Sequence, residues 1–309
     1  MTEPGFPERL RTRIPSLADF LKRASMDRRR FVYDLLPLFP APRTRDRVAR
    51  LLASARPRTP VFRPSEAARV WHQHLRTDGI TPPLPPLAPG IVADMRAHFE
   101  GCRVRDPYRP HLGAFPPGAP PSTESNMGYH GVEDILSAPH VLRLFNDPRL
   151  LEAAELYLGC KPTLDNIGCW WSFPDRSAAK GTQRYHRDFD SLRGFKVFFY
   201  LTDVDAEAGP HVFMKGSHHS PRLGTGKALA DETVRAAFGA GNEVTVTGPA
   251  GTWFAADTYG WHKGLLPKRD ARLLLTAQYT VNRTPHAPQA PVMERPAGLD
   301  PFVNRVYLR

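Results

Sequence analysis

Two hydrophobic patterns divide the chain. Up to about residue 160, apolar positions recur at helical spacing between proline-rich connectors, as with Val48, Leu51 and Leu52. This predicts helices over Ser16–Leu36, Thr44–Ala55, Ser65–Arg76, Ile91–Glu100, Val132–Leu144 and Pro148–Leu158. Ser65 is placed as an N-cap and Gly159 as the stop of the last helix. From Thr163 onward, short runs rich in aromatic and β-branched residues alternate with turn signals, the mark of strands. The predicted strands are Leu164–Phe173, Thr182–Asp188, Gly194–Thr202, Pro210–Met214, Glu243–Thr247, Thr252–Ala256, Tyr259–Gly264 and Arg272–Asn282. A helix over Asp231–Phe238 is inserted between the fourth and fifth. Eight short strands separated by turns suit a mainly β fold, a jelly-roll or cupin-like barrel of two facing sheets with flanking helices.

Composition narrows the class. The 309 residues are 41% hydrophobic, enough to bury a core, and the 33 prolines exceed the roughly 5% of average chains, which argues against a helical bundle. There is no apolar run near the ~20 residues that span a bilayer, and the N-terminus lacks the apolar stretch of a secretory signal. Cys102, Cys160 and Cys169 are an odd set without paired spacing and read as free thiols, so a cytoplasmic location is expected. The net charge of +11 is uneven: residues 1–60 hold 14 Arg or Lys against 6 Asp or Glu. The expected organisation is therefore a basic helical N-terminal extension over 1–62 and a β-barrel domain over 63–309. Arg28, Arg29 and Arg30 are the densest basic cluster and read as a solvated helical face. No aromatic-interleaved nucleic-acid motif accompanies them, so no nucleic-acid partner is expected.

The chemistry centres on Tyr185-His186-Arg187-Asp188. Residues two apart on a strand share a face, so His186 and Asp188 can direct an imidazole nitrogen and a carboxylate oxygen at one ion. His262 offers a third ligand. Two histidines and one carboxylate on one face of an octahedral metal leave three positions open, which suits a non-heme Fe(II) oxygenase that binds a co-substrate and O2. Alone, His-x-Asp is a weak signal; Arg272 strengthens it. On the last strand Arg272, Leu274, Thr276, Gln278 and Thr280 share one face, expected to line a wet cavity. Leu273, Leu275, Ala277, Tyr279 and Val281 share the other, expected to pack outward. A guanidinium in such a cavity can grip a carboxylate through two parallel hydrogen bonds. Gln183, three residues before His186, is a candidate contact to a co-substrate oxygen. Trp170 and Trp171 must face opposite sides of their strand, and Trp171 is placed toward the cavity. Tyr129, in a glycine-containing segment with Asn126 and His130, and His211, on the fourth strand, are candidate substrate contacts. His218 and His219 read as a solvated turn.

Taken in order, several segments resemble the phytanoyl-CoA dioxygenase family. They are Asp147-Pro148-Arg149-Leu150-Leu151 ending at Leu158-Gly159, His186-x-Asp188, Gly209-Pro210-His211-Val212-Phe213-Met214-Lys215-Gly216-Ser217-His218, and His262-x-Gly264 with Arg272. The resemblance covers about residues 72–282. It implies a double-stranded β-helix with flanking helices, Fe(II) held by His186, Asp188 and His262, and 2-oxoglutarate as co-substrate anchored by Arg272. Some members of that family carry a hydroxyl residue two positions after the distal histidine. Here that position is Gly264, and Thr276 or Thr202 is expected to supply the hydroxyl. Asp188 is present where related halogenases leave the position empty, so hydroxylation or a related oxidation of a small molecule is implied, with release of succinate and CO2. An iron-dependent oxidase or cyclase without 2-oxoglutarate, and a non-catalytic small-molecule-binding barrel, are the competing readings.

Overall fold

The computed structural model describes residues 41–179, 181–224, 227–284 and 287–309; the helix expected at Ser16–Leu36 lies outside them. The helices before the barrel are α1 (Pro42–Ser54), α2 (Glu66–Thr77), α3 (Pro89–Gly101), α4 (Val132–Ser137), α5 (Val141–Phe145) and α6 (Pro148–Leu158). Ser65 caps α2 by accepting the Ala68 N–H at 3.3 Å. Gly159 ends α6 at φ 78°, a left-handed conformation that glycine adopts without steric cost. The single helix expected over Val132–Leu144 is two. Ala138 precedes Pro139 and is held extended (ψ 136°), and His140 is left-handed at φ 64°, so the chain breaks between α4 and α5.

The strands are β1 (Val104–Arg105), β2 (Ala114–Phe115), β3 (Met127–Tyr129), β4 (Thr163–Ser172), β5 (Gly194–Tyr200), β6 (His211–Met214), β7 (Glu243–Val246), β8 (Trp253–Ala256), β9 (His262–Gly264) and β10 (Arg272–Thr280). Helix α7 (Asp231–Phe238) lies between β6 and β7 as expected, and α8 (Pro301–Asn304) lies near the C-terminus. A seven-stranded sheet runs β2-β1-β3-β4-β10-β5-β8 and a three-stranded sheet runs β7-β6-β9, antiparallel throughout.

Two strand expectations need correction. Thr182–Asp188 is not a regular strand: a 3-10 turn covers Gly181–Gln183, and only isolated bridges follow, Tyr185 to Leu229 and His186 to His262. The segment expected to begin at Tyr259 starts only at His262, because Gly260 N donates to the Asp257 carbonyl in a tight turn. With β9 only three residues long, the 185–188 segment has no room for a longer ladder beside it.

Side-chain alternation sorts the molecule into layers. On β5, Val197 and Phe199 join the large helix-side core while Phe198 and Tyr200 point into the space between the sheets. β10 does the same, with Leu273, Leu275, Ala277 and Tyr279 on the helix side and Leu274 between the sheets. On β6, Phe213 faces the intersheet core, and Val212 and Met214 pack with Val234 of α7 and with Trp261. Helix α1, within the segment read as a basic extension, buries Ala49 and Ala53 in the helix-side core and places Arg45 against the Ser191 carbonyl.

Leu275 is fully buried on β10 between β4 and β5. Truncation to alanine leaves a cavity that this rigid strand cannot close. Leu275→Ala is expected to lower the unfolding free energy by about 2–5 kcal/mol in urea titrations, and an unchanged midpoint would contradict the layer assignment.

Candidate metal centre

The site begins with backbone pairing. His186 N donates to the His262 carbonyl at 3.0 Å and His262 N donates to the His186 carbonyl at 3.1 Å. Asp188 N donates to the Thr258 carbonyl at 2.8 Å, so the 186–188 segment is stitched along the approach to β9. With His186 and His262 directly opposite, their rings lie 4.2 Å apart between centroids. His186 Nε2 is 3.7 Å from Asp188 Oδ1, and His262 Nε2 is 3.8 Å from Asp188 Oδ2. One ligand atom from each residue falls within 4.8 Å of the others.

The imidazoles are oriented by the backbone. His186 Nδ1 lies 2.9 Å from the Arg184 carbonyl and His262 Nδ1 lies 2.9 Å from the Gly260 carbonyl. A carbonyl oxygen only accepts, so each Nδ1 donates and each Nε2 presents its lone pair to the centre. This is how metal-binding histidines are usually held. Burial, and then the neighbouring His186, push the His262 imidazole down to about 3, so it stays neutral and ready to coordinate.

Asp188 has a partner that the sequence pattern did not reveal. Lys196 Nζ, reaching across from β5, donates to Asp188 Oδ2 at 2.5 Å and lies 3.7 Å from Asp190. Burial by itself would raise the Asp188 carboxyl, but Lys196, His262 and His186 hold it far below the ordinary carboxylate range. Burial would lower the Lys196 ammonium, and Asp188 and Asp190 overcome that. The carboxylate is therefore ionised and braced through one oxygen. Arg187, between the two ligands, points the opposite way. Its buried guanidinium donates to the carbonyls of Ser217, Ser220 and Arg222 at 3.0–3.2 Å and lies 5.1 Å from the Tyr259 and Trp261 rings. It ties the 217–222 turn to the loop that leads into His262. Strand parity was the signal that would have found both residues: Arg187 is the odd position of His-x-Asp, and Lys196 shares the inward face of β5 with Phe198.

The other expected residues are distributed as follows. Arg272 is buried at the start of β10, donating to the Gly209 carbonyl and, at 3.2 Å, to Ser172 Oγ. Thr276 sits two turns of the pleat further on, its hydroxyl donating to the Gly168 carbonyl at 3.3 Å. Thr202 Oγ1 accepts from Leu273 N at 3.2 Å, which commits it to the backbone. Gln183 Oε1 accepts from Asn126 Nδ2 at 2.8 Å, so it ties the segment before His186 and Asp188 to the edge of β3. Tyr129 stacks on Trp170 at 5.3 Å between centroids.

Trp171 is on the wrong side for the role given to it. Opposite Leu273 on β10, it packs in the helix-side core, whereas Trp170, opposite Leu274, packs against the intersheet core. The register between β4 and β10 decides which of two adjacent tryptophans turns inward, and that register is not visible in the local pattern.

His211 is buried on β6, its ring 4.7 Å from Phe198, 5.1 Å from Phe254 and 5.5 Å from His262. Its Nε2, the Nε of Arg272 and both amide atoms of Gln278 are buried without a hydrogen-bond partner among the described residues. Buried polar groups are rarely left so, and these flank the ligand triad on the intersheet side.

No family model matches the chain, and no curated protein sequence matches it. Solved structures do. The non-heme alpha ketoglutarate dependent epimerase SnoN from nogalamycin biosynthesis is 21% identical, over 79% of this chain and 96% of that one, with a TM-score of 0.51. The same epimerase in complex with Fe3+, alpha ketoglutarate and nogalamycin RO is 22% identical over the same shares, with a TM-score of 0.50. The non-heme alpha ketoglutarate dependent carbocyclase SnoK, also from nogalamycin biosynthesis, is 17% identical over 70% of this chain and 86% of that one, with a TM-score of 0.51. The likeness is one of fold. No helix among the described residues is long and apolar enough to cross a membrane.

Gly264 has a local reason in this chain. A Cβ there would stand 3.1 Å from Arg272 Nη2 and 3.4 Å from Nη1, so the guanidinium occupies the space that a side chain would need. Gly264→Ala is expected to displace Arg272 while leaving His186, Asp188 and His262 in place. Metal titration should then match the parent protein, while binding of a dicarboxylic 2-oxo acid, the co-substrate expected from the sequence, should weaken by about tenfold, the scale of one hydrogen bond to a charged group. Equal weakening of metal binding would contradict this.

Proposed function

We propose that the protein is an Fe(II)- and 2-oxoglutarate-dependent dioxygenase that oxidises a C–H bond of a small-molecule substrate, releasing succinate and CO2. The observation that carries this reading is the convergence of two backbone-oriented imidazoles and one braced carboxylate within 4.8 Å, with a buried arginine on β10 of the other sheet. His186 and His262 through Nε2, and Asp188 through a carboxylate oxygen, are the residues that would hold the iron. Such a set leaves three coordination positions open for co-substrate and O2. When bound, the iron and 2-oxoglutarate supply the oxidising power for an unactivated C–H bond.

The chain's own part is orientation and exclusion of water. Lys196 keeps one Asp188 oxygen engaged so that the other faces the centre. The carbonyls of Arg184 and Gly260 fix both imidazole rings, and Arg272 offers a planar donor fork to the distal carboxylate of the co-substrate. Phe198, Phe213, Phe254 and Leu274 form the apolar wall beside these groups and keep the site dry. The orphaned Arg272 Nε and Gln278 amide fit a cavity meant to receive polar groups. The two facing sheets support a double-stranded β-helix, with the 185–188 segment taking the place of a missing strand next to β9. The order of His186-x-Asp188, His262 and Arg272 supports the phytanoyl-CoA dioxygenase resemblance. SnoN holds Fe3+, alpha ketoglutarate and nogalamycin RO; a natural-product-like small molecule is the substrate class that accords with that likeness.

The decisive measurements are Fe(II) binding and substrate-stimulated succinate formation under air. His186→Ala and Asp188→Ala are expected to abolish both, whereas Arg272→Ala should retain the metal and raise the apparent constant for 2-oxoglutarate by at least about tenfold. Full turnover by the Asp188→Ala protein would contradict the ligand assignment.

A further inference from the structure

His211 is a buried titratable side chain beside the site that the proposed mechanism leaves unused. It stands at one point of β6 where two parts of the site meet. Its strand partner on β9 is Gly264, the residue whose missing side chain makes room for the Arg272 guanidinium. Its ring lies nearly parallel to that of His262, 24° between planes at 5.5 Å. The ionisable groups that face it are His262, His186 and Asp188 from the metal side and Arg272 from the other. The rings of Phe198 and Phe254 also pack against it and offer no hydrogen bond, and the Tyr200 hydroxyl accepts from its backbone N–H at 2.9 Å.

Nε2 of His211 has no partner among the described residues although the side chain is 97% buried, with 3% exposure. Leaving a buried donor or acceptor unmade costs as much as the group's desolvation, so a ring nitrogen held here is available to an acceptor atom of a ligand. His211 thus stands beside His262 on one side and, through its partner Gly264, near the Arg272 guanidinium on the other.

Resting on the co-substrate reading above, we propose that His211 is a co-substrate-recognition residue: its Nε2–H donates to the distal carboxylate of 2-oxoglutarate beside Arg272. The carboxylate is then held by a planar guanidinium fork and by an imidazole N–H, both buried. This selects a dicarboxylic 2-oxo acid over a monocarboxylic one, because without the second carboxylate two buried donors stay unsatisfied. His211 thereby leaves the group of substrate contacts and joins Arg272.

The test compares His211→Phe, which keeps a ring against Phe198 and Phe254, with His211→Gln, which keeps a donor. Each Fe(II)-loaded protein is titrated anaerobically with 2-oxoglutarate and, separately, with 2-oxobutanoate, which lacks the distal carboxylate. Fe(II) affinity and thermal midpoint are measured alongside. His211→Phe is expected to bind 2-oxoglutarate about tenfold or more weakly, to bind 2-oxobutanoate as the parent does, and to keep its iron. His211→Gln should recover most of the loss. An unchanged 2-oxoglutarate constant in His211→Phe, or an equal loss for both acids, overturns the assignment of His211. Failure of the iron-loaded parent protein to bind 2-oxoglutarate at all overturns the co-substrate reading, and the assignment with it.

Discussion

The paired hydrogen bonds between the backbones of His186 and His262 are the constraint on which the site depends. They are a single narrow pair in an otherwise irregular stretch, yet they place two imidazoles side by side, 4.2 Å apart and inclined by 51°, and bring Asp188 alongside. Everything around them serves that placement. Arg187 draws the 217–222 turn down onto the loop before β9, and the Asp257–Gly260 turn aims His262 inward. A longer ladder would have been stiffer, but it would have used the backbone carbonyls of Arg184 and Gly260 that here hold the two Nδ1 protons.

The second feature is the arrangement of charge in a dry interior. Asp188, Lys196, Arg272 and His211 all lie in or beside an apolar intersheet core, where an unpaired charge is costly. Asp188 and Lys196 neutralise each other, and among the described residues Arg272 is held by neutral acceptors, the Gly209 carbonyl and Ser172 Oγ. A guanidinium so placed keeps its charge without an acidic partner, which makes it a standing attraction for an anion. The same low-dielectric wall makes that attraction discriminating, since any ligand that fails to complete the buried donors leaves their desolvation uncompensated.

Much of the fold was legible in the residues. β10 carried its two faces openly, and the structure separates them as the alternation implied, Leu273, Leu275, Ala277 and Tyr279 against the helices and Arg272, Thr276 and Gln278 inward. Ser65 and Gly159 bounded their helices through local chemistry. The failures have physical causes of their own. Pro139 split a helix that apolar spacing joined. β1, β2 and β3 have two or three residues each, too few for any alternation to register. Thr182–Asp188 had the composition of a strand but no neighbour long enough to pair with.

By itself the sequence determined which residue types were available to bind a metal and an anion, and which faces of the long strands would be apolar, because those follow from side-chain chemistry and a two-residue period. Tertiary structure alone decided which of Trp170 and Trp171 turned inward, that Lys196 would brace Asp188, and that Gly264 would yield its space to Arg272. Each of those is a relation between strands distant in sequence, set by register across a sheet or between sheets, and a one-residue change of register would have reversed it.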